Sequence, residues 1–146
     1  MLKALVGVIV GYIAMAILIA IAFTGAFLAL GVERALQPDS YEISTLWIAL
    51  SLVISLGSAI LGGYVCAAVS KSFRACQLLA VIVVILGVLL CLPAIQRREG
   101  PNVRAGEVPS LEAMKLGVAP IWMHLLNPVL GAVGVLIGAR IKKTLS

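Results

Sequence analysis

Charge is what this sequence has least of. Only 12% of its 146 residues are Asp, Glu, Lys or Arg, about half the share usual in soluble domains. The shortage is patterned, because no Asp or Glu falls inside any of the long apolar stretches. That argues against catalysis by paired carboxylates and against the intramembrane acid that a small proton-coupled exporter requires. There is one histidine, His124. Without a nearby carboxylate or second imidazole it makes a poor metal site, and no cofactor is expected. The three cysteines, Cys66, Cys76 and Cys91, form no C-x-x-C. They read as small apolar packing residues, and a redox role would need two of them to meet. No G-x-S-x-G surrounds any serine, so a hydrolase pairing Ser58 with His124 lacks its motif. The net charge of +5 comes without a basic patch interleaved with aromatics. Nucleic acid is therefore not an expected partner.

What is abundant is apolar surface, at 62% of residues. A single soluble domain of this length has no interior large enough to hide it. The expectation is an all-α integral membrane protein, one domain with four transmembrane helices in an up-down bundle. The spans fall at about residues 4–32, 46–70, 75–95 and 116–141, each at or beyond the roughly twenty residues that cross a hydrocarbon layer. The first apolar run continues to Val32. This exceeds a signal-peptide core of about 7–15 residues, so it reads as a retained helix. The third span is rich in Val, Ile and Leu. It is still read as a helix, because backbone groups in lipid must be bonded within their own segment.

Small residues lie on defined faces. In the second span Ser51, Ser55, Ser58, Gly62 and Cys66 share one side, while Val53, Ile60, Leu61 and Tyr64 lie on the other. The first span carries Ala4, Gly7, Gly11, Ala14, Leu18, Ala22, Gly25 and Ala29 as a small face, with Gly7-x-x-x-Gly11 as a helix-contact pattern. Cys76, Ala80, Val83, Gly87, Cys91 and Ala94 make the slim face of the third. Smooth faces pack on protein and bulky faces meet lipid. The expected helix-packing residues are Gly7, Gly11, Gly62, Gly63, Gly131, Gly134 and Gly138.

The connections are uneven. Glu33–Thr45 contains Pro38-Asp39-Ser40, a turn signal, and Tyr41 and Trp47 are placed to anchor an interface. Lys71–Arg74 is a short basic turn that makes the second and third spans antiparallel neighbours. Residues 97–115 form the longest polar segment, with Ser110 placed to cap a short helix, LEAMK. Lys3, Lys71, Arg74, Arg140, Lys142 and Lys143 lie on one side, against Arg34, Arg97, Arg98, Arg104 and Lys115 on the other. The basic density of the short segments puts both termini in the cytoplasm. A faint repeat, GYVCAAVSK at 63–71 and GVLIGARIK at 134–142, raises a duplication of two hairpins about an axis along the membrane normal. Convergence on good membrane packing explains the same match.

The fourth span carries the most informative pattern. Gly117, Pro120, His124, Asn127, Gly131, Gly134 and Gly138 step by three and four, so they share a face at the 3.6-residue period. Val118, Trp122, Leu125, Leu126, Val129, Val133, Leu136 and Ile137 lie opposite. His124 and Asn127 therefore point into the bundle. Pro128 has no N–H, so the carbonyl of His124 loses its helical partner. Water, a hydroxyl from a neighbouring helix or a bound ligand must satisfy it. His124 and Asn127 are the candidate ligand-binding residues, and interhelical hydrogen bonding is the alternative role for both.

Gly62-Gly63-Tyr64 with Ala67-Ala68, Pro120-Ile121-Trp122, and Gly134-x-x-x-Gly138-Ala139-Arg140 resemble a group of small bacterial four-helix inner-membrane proteins. The resemblance covers the whole order of spans. It implies the fold and a bacterial inner membrane, and it brings no catalytic residues. The functional expectation is a non-enzymatic structural or accessory membrane protein, a homo-oligomer or a subunit of a larger membrane assembly. The alternative is a small transporter or ligand-binding protein with a polar notch at His124 and Asn127. A lipid-facing strip of Gly and Ala would favour the first reading, and a cavity reaching His124 the second.

Overall fold

The computed structural model describes residues 2–96, 103–104 and 106–145. They form α1 (Leu2–Leu30), α2 (Val32–Ala35), α3 (Thr45–Ser70), α4 (Phe73–Gln96), α5 (Ser110–Leu116) and α6 (Ile121–Thr144). The described residues are all-helical apart from loops and isolated bridges. Four helices, α1, α3, α4 and α6, are long and apolar enough to cross a membrane. The Val/Ile/Leu-rich third stretch is helical, as its length required.

Two helix ends differ from the expected spans. α1 stops at Leu30 because Gly31 takes φ 74° and ψ 165°, a non-helical conformation that glycine reaches at little cost. α6 begins at Ile121, not near Leu116. A proline disfavours helical geometry in the residue before it, so Pro120 holds Ala119 out of the helix and separates α5 from α6. Gly117 and Pro120 thus lie in a link and not on the α6 face. Val118 is buried there instead of facing outward. Ser110 is the first residue of α5 and makes no capping bond; Pro109 precedes it at the N-cap.

The most extensive contact is between α3 and α6; α1 packs on α3, and α4 on α6. α3 and α4 meet much less, although only Lys71 and Ser72 separate them. They are joined at one end and touch, as the short turn requires, without being principal packing partners. The reason lies in the adjacent glycines Gly62 and Gly63. Consecutive helical residues point about 100° apart, so the pair gives α3 two smooth sides. A Cβ on Gly62 would lie 2.8 Å from Met15 Cβ and 3.0 Å from the Gly11 carbonyl of α1. A Cβ on Gly63 would collide with the Val135 carbonyl of α6. Gly138 meets the Ile60 carbonyl in the same way, and Gly134 lies against Ala59. Gly7 and Gly11 face Ser70 and Cys66, while Gly131 faces Val83 and Gly87 faces Pro128. Each expected packing glycine is therefore used within the chain. Ile60, Tyr64 and Leu136, expected on the outer face, are half-buried, because α3 and α6 approach so closely on that side.

The small face of α1 does not continue along the helix. Its buried line runs from Gly7 and Gly11 to Met15 and Phe27, while Gly25 and Ala29 are exposed. At the Phe27 end a second core gathers Phe27, Ala35, Leu36, Ile43, Trp47, Ala113 and Met123. Trp47 is only 6% exposed. It makes edge-on contacts with Phe23 and Phe27 at 5.8 and 5.1 Å. It is a core residue of this cap, not an interfacial anchor, because the loops fold over it. Leu36 pairs with Ile43, Ser40 with Val103, and Glu42 with Val118. Ser44 Oγ accepts the Trp47 N–H and donates to the Arg34 carbonyl at 2.6 Å, which caps α3. Buried Arg104 donates to Glu33 at 2.8 Å. The described part of the polar segment from residue 103 is thus stitched to the first loop; residues 97–102 and 105 lie outside the described residues.

Candidate ligand-binding notch

Pro128 stands inside α6 and leaves the His124 carbonyl without its helical N–H. The partner is the thiol of Cys91 on α4, whose Sγ donates to that carbonyl at 3.0 Å. Cys91 is therefore more than a small apolar filler: it satisfies the acceptor that Pro128 releases. The donor is a thiol, where a hydroxyl, water or ligand was expected. The packing of Gly87 against the Pro128 ring brings α4 close enough for this bond.

His124 and Asn127 are both half-buried and lie between two cavities. One, of about 300 Å³, is bounded by all four long helices through Met15, Ile19, Ser55, Val83, Cys91 and Asn127 among others. The second, of about 220 Å³, lies under the cap against Phe27, Trp47, Ser51, Gly117 and Met123. His124, Asn127 and Phe23 line both. The result is a mostly apolar space with its polar groups concentrated at one level. Two of those groups have no protein partner: the Oγ of Ser51, itself 0% exposed, and the Oδ1 of Asn127. Buried polar atoms are hydrogen-bonded in the great majority of cases, and these two line the same cavity.

Of the sequence-predicted site residues, His124 and Asn127 come together here. The packing glycines do not enter the polar site itself, although Gly131 lines the larger cavity. Ser58 is buried and lines neither cavity. Sequence reasoning did not single out Ser51, Cys91 or Phe23 as site residues. Ser51 and Cys91 stood on the inward faces of their helices, but no local motif tied them to His124. Cys66 and Cys76 belong to the same core cluster. Both are fully buried, and Cys76 donates to the Ser72 carbonyl at 3.6 Å. No group of three or more potential metal ligands occurs among the described residues.

Comparison with known protein families, with curated proteins and with solved structures finds no match to this chain.

Proposed function

We propose that this chain is a non-enzymatic, multi-pass protein of a bacterial inner membrane. Both termini lie in the cytoplasm, and the four long helices form a bundle that binds a small amphipathic molecule at the His124–Asn127 notch. One observation carries this reading: two cavities meet at these residues, and the buried Ser51 Oγ and Asn127 Oδ1 there have no protein partner. Binding pockets are mostly apolar, with a few convergent polar groups that fix orientation. Asn127 Oδ1 is an acceptor, so the ligand presents an O–H or N–H to it and rests its apolar body among Met15, Ile19 and Val83.

The reading expected first, an accessory subunit or homo-oligomer, is favoured by a lipid-facing strip of Gly and Ala. The seven expected packing glycines are occupied inside the chain. The exposed small residues of α1 are Ala16, Ala20, Gly25 and Ala29. The first two lie about 180° from the last two around the helix, so they form no continuous strip. The pairing of α1–α3 and α6–α4 about a central α3–α6 contact also supports the duplicated-hairpin reading.

The test begins with protein purified in mild detergent and mass spectrometry of bound small molecules. A molecule retained by the native chain and lost from Asn127→Leu and His124→Leu, with thermal stability kept, is the expected outcome. Loss of stability in both variants, with nothing bound to the native chain, would reduce the pair to interhelical glue. Fluorescent-protein and alkaline-phosphatase fusions test the topology separately. Fluorescence at the termini and phosphatase activity between residues 97 and 115 are expected.

A further inference from the structure

A larger cavity lies at the opposite end of the molecule from the notch. It occupies about 660 Å³ where the end of α6 meets the joint between α3 and α4. Lys71, Lys142 and Lys143 all line it, with Ser72 at its edge and Ala68 and Phe73 on its apolar wall. Among the described residues no acidic side chain lines it, and the sequence has no Asp or Glu between Glu42 and Glu99 or after Glu112. Cations at the ends of spans satisfy helix dipoles and topology while pointing into water. Here three of them line one hollow, Lys71 and Lys143 exposed and Lys142 half-buried. The Lys142 ammonium lies 5.9 Å from the centre of the Tyr64 ring. Lys71 closes α3 in the left-handed region at φ 52°, which non-glycine residues seldom adopt. Ser72 and Phe73 bring the start of α4, where free N–H groups favour an anion, to the same hollow.

We propose that this hollow binds the phosphate of an anionic glycerophospholipid headgroup, held between Lys71, Lys142 and Lys143. An anion in the hollow is within the reach of all three lysines that line it, and the apolar wall beside them suits a molecule with an apolar part. The apolar wall selects a lipid over a free anion. The hollow lies at the ends of α3 and α6, and both α3 and α4 carry exposed apolar side chains such as Val69 and Leu78, so a phosphate held there leaves the acyl chains to follow the helices. Basic pockets between helices at this level are suited to such headgroups. The inference rests on the membrane-spanning reading but not on the notch, and the fusion experiment above tests that reading independently.

The experiment is lipid titration of the detergent-purified full chain, followed by native mass spectrometry. Phosphatidylglycerol, phosphatidylcholine and inorganic phosphate are the probes. Phosphatidylglycerol should bind far more tightly than phosphatidylcholine. The variant Lys71→Gln/Lys142→Gln/Lys143→Gln should lose on the order of a hundredfold in that affinity, from the attraction expected of three lysines. The variant Lys3→Gln/Arg74→Gln/Arg140→Gln removes equal charge from the same end outside the cavity and should keep most of it. If the first variant does not fold, Lys143→Gln alone replaces it, with a loss of about fivefold. Equal losses in the two triple variants would show diffuse surface charge and overturn the site. Equal binding of phosphatidylcholine would overturn it too, as would binding of inorganic phosphate without binding of phosphatidylglycerol.

Discussion

The two ends of the α3–α6 pair are built on opposite principles. Toward Lys71, glycine meets backbone: Gly63 lies against Val135 and Gly138 against Ile60, with Gly62 and Gly11 facing each other beside them. Toward the cap, Phe23, Phe27, Trp47 and Met123 fill the space, and two cavities remain between them. Small residues let helices approach until their backbones touch. Bulky ones hold them apart, and the space left over is where polar atoms lack partners. One end is a clasp and the other a container. The same two helices do both because their residue sizes change along their length.

The largest effect should come from breaking the clasp. Gly63→Leu or Gly138→Leu would push a side chain into a neighbouring backbone that has no rotamer to yield. We expect a cost at or above the upper end of the roughly 1–3 kcal/mol typical of overpacking, seen as loss of monodisperse protein in detergent. Gly57→Leu and Gly25→Leu meet nothing within 4 Å and should leave yield and Tm almost unchanged. Similar damage at Gly57 and Gly63 would mean that α3 packs by another face.

The container should fail next, at Trp47. Trp47→Ala removes the ring that Phe23 and Phe27 pack against and should cost about 3–5 kcal/mol, measured by thermal unfolding. Trp122 is 51% exposed, and Trp122→Ala should cost far less. A reversal of that order would put the cap core elsewhere.

A smaller effect separates the two chemical roles of Cys91. Cys91→Ser keeps a donor for the His124 carbonyl, whereas Cys91→Val leaves it bare. The valine variant should be less stable than the serine one by about 1–3 kcal/mol, the cost of an unsatisfied buried group. Equal melting temperatures would show that another donor reaches the carbonyl.

The smallest effect is at the cap surface. Glu33 is 80% exposed while its partner Arg104 is 7% exposed. Glu33→Gln should therefore change stability by less than about 1 kcal/mol, and the difference should fade as salt is raised. A larger, salt-insensitive loss would make the ion pair a structural element of the cap.

Much of the clasp was legible in the sequence. Gly7, Gly11, Gly62, Gly134 and Gly138 lie on faces that period and residue size mark out, and these faces are the ones used. The notch was legible as far as His124, Asn127 and Pro128, because one helix carries all three. Its completion was not, since Cys91 and Ser51 reach it from helices distant in sequence. The cap was the least legible. Trp47 beside a polar loop reads as an interface anchor until backbone bonds such as Val118 N–H to the Tyr41 carbonyl fold that loop over it.

The sequence by itself determined four long apolar helices, because unbroken apolar length with no internal acid permits little else. It also determined that Pro128 would free a carbonyl, since a missing N–H is a property of the residue alone. Only the tertiary structure decided that α3 pairs most closely with α6 and little with α4, its neighbour in the chain. Two adjacent glycines offer two smooth sides, and which helix fills each depends on shape across the whole molecule. It likewise decided that a thiol on α4 meets the freed carbonyl, and that three lysines from two helix ends share one hollow. Such meetings depend on distances between segments far apart in the chain, which no local pattern encodes.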